Sequence, residues 1–140
     1  MRHVSDTFLE ATLKRGKSLE QFMGGCLRNG ERIISHLELR PGPSGIEVWR
    51  FTVPDVGSLD FLDIYEFGGE DDSEMLCLHP TPSDALRYAY NKLRASPSRW
   101  VNAGVSQEEY ADFIRLGRPN DWPPLDACSL PQDDAFAANT

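Results

Sequence analysis

No stretch of this chain holds the roughly 18 consecutive apolar residues of a membrane-spanning helix. The opening "MRHVSDTFLEATLKRG" also lacks the unbroken apolar core of a secretory signal, so the expectation is a cytoplasmic chain. Cysteine is scarce: Cys26, Cys77 and Cys128 make an odd number with no CxxC spacing. That excludes a disulfide framework and fits three thiols in a reducing compartment. Histidine is equally sparse, with His3, His36 and His79 too far apart in the sequence to suggest a zinc site, and no metal or other cofactor is expected. The motifs GxSxG, HExxH and GxGxxG are missing. "RGKS" at 15–18 ends like a phosphate loop, but the first glycine that loop needs is absent and no strand precedes it.

What the chain does have is acid in one place. The net charge is −8, and residues 47 to 74 carry nine acids against the single base Arg50, which accounts for all of it. Within "LDFLDIYEFGGEDDSEM", residues 59 to 75, seven carboxylates stand without a Lys or Arg. Calcium loops place oxygen ligands at set spacings, and "GGEDDSE" lacks them. At 140 residues and 40% apolar, the chain is long enough for one core, read as an α+β domain over 1–117 followed by an extended acidic, Pro-containing tail over 118–140.

The periodicity predicts an N-terminal helical segment over 5–23, capped by Ser5 and broken or kinked at Gly16, with Leu19, Phe22 and Met23 on its apolar face. From residue 31 the period becomes two. "RIISHLEL", the turn "PGPSG" and "IEVWRFTV" read as a hairpin, "LDFLDIYEF" at 59–67 as a third strand and "MLCLH" at 75–79 as a fourth. Short links make this a four-stranded antiparallel meander. Thr81, Pro82 and Asp84 mark a helix start, with Leu86, Ala89, Tyr90 and Leu93 as its apolar stripe. Ser106 and Glu109 read as a capping box for a last helix that stops at Gly117, both C-terminal helices packing on the sheet.

Chemistry is hard to assemble from these parts. Alternation separates Asp63 from Asp60 and Glu66, which argues against a catalytic carboxylate pair. Cys77 and His79 share a strand face at roughly 6–7 Å, wide of thiol–imidazole contact. A surplus of acid makes direct nucleic-acid or membrane binding unfavourable. Carboxylates interleaved with aromatics are instead the materials of a protein interface, where charge steers a basic partner and desolvated rings hold it. The expected function is therefore a non-enzymatic, acidic protein-binding module, a stoichiometric inhibitor of the immunity-protein, antitoxin or phage anti-defence type. Its basic target could itself bind nucleic acid, and a homodimer is allowed. The alternatives are a client-binding protein of the secretion-chaperone kind and a small enzyme using Cys77 and His79. The contact residues expected are Asp55, Asp60, Asp63, Glu66, Glu70, Asp71, Asp72, Trp49, Tyr65 and Trp122.

Overall fold

The computed structural model describes residues 2–123. Among these, five strands form one antiparallel sheet: β1 (Leu19–Arg28), β2 (Glu31–Gly42), β3 (Gly45–Pro54), β4 (Ser73–His79) and β5 (Val101–Asn102), in spatial order β4-β3-β2-β1-β5. Three helices accompany it, α1 (Leu9–Lys14), α2 (Pro82–Leu93) and α3 (Ser106–Arg115). The architecture is α+β as expected, with five strands in place of four: two segments are reassigned and the short β5 is added. Residues 19–23 are strand rather than helix, and 59–67 are not a strand.

The first correction follows from double-sided burial. Leu19, Glu20, Gln21 and Phe22 are all buried, so β1 shows no alternation of polar and apolar residues. Its polar members are satisfied inside: Gln21 accepts from the Ser96 N–H at 2.7 Å and donates to the Ser96 carbonyl at 3.0 Å. The N-terminal helix stops early at Gly16, which takes a left-handed φ of 84°. Ser5 makes no capping bond to the turn it precedes.

The second correction is one of available edges. β2 and β4 occupy both sides of β3, with Ile46 opposite His79 and Phe51 opposite Ser73, so no edge of β3 is left for residues 59–67. That segment becomes an excursion containing two 3-10 turns, Ile64–Glu66 and Glu70–Asp72, in which Ile64 and Phe67 face inward three residues apart. β5, too short for a periodic signal, pairs with Leu19 and Glu20 on the free side of β1.

The helices cover opposite halves of opposite sheet faces. α1 and α2 close one face over Leu37, Leu39, Ile46 and Val48, burying Leu13, Ala85, Leu86 and Ala89 there. On the other face, α3 and the excursion enclose Phe22, Ile34 and Val53 with Phe113, Tyr110, Ile64 and Phe67. At about 3.3 Å per residue, β2 runs about 40 Å, whereas 12-residue α2 would reach about 18 Å along it. Each face therefore keeps a half without a helix.

Local chemistry at the C-terminal helices is mixed. Thr81 caps α2, its hydroxyl accepting from the Asp84 N–H at 3.1 Å. Ser106, however, lies inside α3 and makes no cap bond, and the Glu109 carboxylate is drawn into a buried ion cluster instead. α3 ends as expected before Gly117, whose φ of 83° lets Arg118 N–H return to the Phe113 carbonyl. Of the tail read over 118–140, residues 118–123 pack on the domain, and the remainder, with Cys128, lies outside the described residues.

Candidate functional site: an aromatic row beside an acidic excursion

The half of the sheet that α3 leaves open carries side chains alternating outward from β2 and β3. Register pairs His36 with Phe51 and Glu38 with Trp49, and places Met75 of β4 beside Trp49. The rings form a continuous row. His36 stacks flat on Phe51 at 4.6 Å and 6°, Phe51 lies 6.3 Å from Trp49 at 23°, and Tyr65 of the excursion meets His36 edge-on at 5.6 Å. His36 is buried at 3% exposure, while Trp49 and Phe51 are half-buried and Tyr65 and Met75 are 38% and 49% exposed. Burial pushes the His36 imidazole down to about 4 despite the Glu38 charge nearby, so this ring is neutral at neutral pH.

Carboxylates border the row. Glu38 receives Nε and Nη2 of Arg40 at 3.2 and 2.8 Å, and the same guanidinium sits 4.5 Å from the centre of the Trp49 ring. Glu47 accepts from Trp49 Nε1 at 2.8 Å. Glu20, cross-strand from Glu38, is buried and accepts from the Tyr65 hydroxyl at 2.6 Å, tying the excursion to the sheet. Burial raises the Glu20 pKa, with the Tyr65 and Gly104 N–H bonds opposing the rise.

The base of the excursion is clamped by α3 and the segment after it. Asp55 receives Arg118 Nε at 2.9 Å and a hydrogen bond from the Tyr110 hydroxyl, while Arg118 Nη2 donates to the Gly57 carbonyl at 2.8 Å. Gly57 N–H donates in turn to Tyr110 Oη at 3.0 Å. A side chain at Gly57 would collide with that hydroxyl, which stands 2.6 Å from where a Cβ would be.

The expected contact residues thus separate into three groups. Asp60, Asp63, Glu66, Glu70 and Asp71 lie on the excursion with no Lys or Arg paired to them among the described residues. Trp49 and Tyr65 belong to the row. The others are engaged within the molecule: Asp55 is buried on Arg118, and Asp72 accepts from the Gly69 N–H at 2.9 Å. Trp122 turns inward, edge-on to Phe22 at 5.5 Å and Phe113 at 5.7 Å. Its Cβ comes so close to Gly24 that only glycine fits there. Sequence reasoning missed His36 and Glu20 as site members. Period two did place His36 and Glu38 on one face, and only strand pairing brought Phe51 and Trp49 alongside.

Two other features carry groups capable of chemistry. Cys77 Sγ lies 3.2 Å from His79 Nε2, closer than strand rise suggested, with Tyr88 against the imidazole at 5.1 Å. Burial raises the thiol, which works against a resident thiolate nucleophile. On the opposite sheet face a groove of about 600 Å³ is walled by Ser35, Thr52, Ser73 and the Arg50–Glu74 pair. Its charges are of both signs, so it selects no ligand class. Compared with known proteins, the chain matches no family model, no curated protein and no solved structure.

Proposed function

We propose that this chain is a protein-binding module acting as a stoichiometric inhibitor of a basic protein, with the excursion and the aromatic row as its contact surface. One observation carries the reading. The excursion holds Val56, Leu59, Phe61 and Tyr65 outward at 38–59% exposure, interleaved with Asp60, Asp63 and Glu66 and followed by Glu70 and Asp71, five carboxylates that meet no Lys or Arg among the described residues. Apolar side chains exposed together are costly in water and are the usual anchors of an interface, while carboxylates beside them favour a cationic partner over a neutral one. The clamp at Asp55 and the Tyr65–Glu20 bond hold the excursion in place, so little ordering is left to be done on binding.

The test is differential capture from cell extract on the immobilised chain and on its Asp60→Lys/Glu66→Lys variant. Between about 0.1 M and about 1 M salt the screening length falls from about 10 Å to about 3 Å. Basic proteins held by the unaltered chain at low salt should be released at high salt and lost on the variant. Retention of the same proteins by both forms, or at both salt concentrations, refutes the reading.

A further inference from the structure

The row carries a more specific statement about the partner, and it rests on the reading just given. We propose that the aromatic row is a receptor for arginine side chains of an extended basic segment. The molecule already shows the mode of binding on itself: Arg40 lays its guanidinium 4.5 Å above Trp49 while forking onto Glu38 with two nitrogens. Immediately beyond Trp49 the row continues through Phe51 and His36 to Tyr65, and no other cation occupies a ring face along it among the described residues.

Three features suit an incoming guanidinium. Tyr65 is 38% exposed and Trp49 and Phe51 are half-buried, so part of their electron-rich ring surface meets solvent and attracts a cation, while the His36 ring stacked flat on Phe51 is uncharged at neutral pH and does not repel one. Carboxylates stand beside it on both sides, Glu38 and Glu47 on the strands, Asp63 and Glu66 in the chain around Tyr65. Finally, a planar and weakly hydrated guanidinium can stack and fork at once, whereas a lysine ammonium offers only a point charge. The same carboxylates oppose a nucleic acid, whose bases would suit the rings but whose phosphates would not.

The probes are an arginine homopeptide and a lysine homopeptide of equal length, titrated calorimetrically at low salt while the ring protons of Trp49 and Phe51 are followed by NMR. The arginine peptide should bind about three- to tenfold more tightly than the lysine peptide, with shifts at both rings. Phe51→Leu keeps apolar volume but removes a ring, and Tyr65→Leu does so at an exposed position that is safer for folding. Either should bring the two peptides toward equal affinity. Asp60→Lys/Glu66→Lys should weaken the lysine peptide as well as the arginine peptide, because both are drawn by the same negative charge. Equal affinities for the unaltered chain, or a ratio that survives both ring substitutions, overturns the arginine receptor. If both peptides then still weaken on Asp60→Lys/Glu66→Lys, the acidic contact surface stands without it. If neither peptide binds, both readings fall. Direct binding of a single-stranded oligonucleotide to the chain in the absence of peptide, with shifts at the same two rings, overturns the assignment as well.

Discussion

Glu109→Gln should destabilise the domain by about 3 kcal/mol at about pH 7, and the deficit should vanish in acid. Glu109 is 1% exposed, yet its carboxylate is ionised: Arg2 Nη1 donates at 2.6 Å, Arg99 Nη2 at 2.7 Å and His3 Nε2 at 3.1 Å. Burial alone would push its pKa up. The His3 bond and the Arg99 and Arg2 charges more than offset this and hold it at about 2. Against an ordinary value of 4.5, a carboxyl held at about 2 ties its charge to folding by about 3 kcal/mol. Removing one partner of a buried ion pair gives a similar figure, about 3–5 kcal/mol, so two routes agree. A folded pKa below the unfolded one means stability that is present above about 4.5 and lost as pH falls through about 2. Thermal unfolding followed by calorimetry should therefore place the variant about 10 °C below the unaltered chain near neutral pH, with the gap closing between about pH 5 and about pH 2. A gap that stays constant over that range, or none at neutral pH, refutes the assignment of Glu109 as a buried anion.

Three further outcomes are expected. The raised pKa of Glu20 has the opposite sign, its stabilising contribution being present below the ordinary carboxyl range and lost as pH rises through the folded value. Glu20→Gln should thus match or exceed the unaltered chain in urea midpoint at neutral pH and lose that advantage in acid, and a clear loss at neutral pH would contradict this. Gly24→Ala, at a φ of 88° and against Trp122, should cost about 2 kcal/mol and raise the solvent quenching of Trp122 fluorescence. Arg118→Ala leaves Asp55 buried without its cation, and amide exchange should accelerate over residues 55–67 well before α2 is affected. Uniform acceleration would deny the clamp.

Where structure is local, the residues alone announced it. Thr81, Pro82 and Asp84 mark the start of α2 because a cap and a fixed φ act within one turn. "PGPSG" marks the β2–β3 hairpin because the turn and the period-two flanks are contiguous. The concentration of acid over 47–74 is likewise a property of the chain itself. Everything that depends on distant partners was hidden. β1 looked helical because both its faces are buried by elements not yet made, and the excursion looked like a strand because its alternation says nothing about whether an edge is free to accept it. Ser106 and Glu109 have the letters of a capping box, but Arg2 lies 107 residues from Glu109 and takes the carboxylate away. The aromatic row needs β2, β3 and the excursion together, with Tyr65 held by Glu20 across 45 residues. Short-range preferences are set by backbone sterics and neighbouring groups, so they can be read in order along the chain. Which side chains meet across the sheet, which acids find arginines and which stay free are set by packing, and only the folded arrangement decides them.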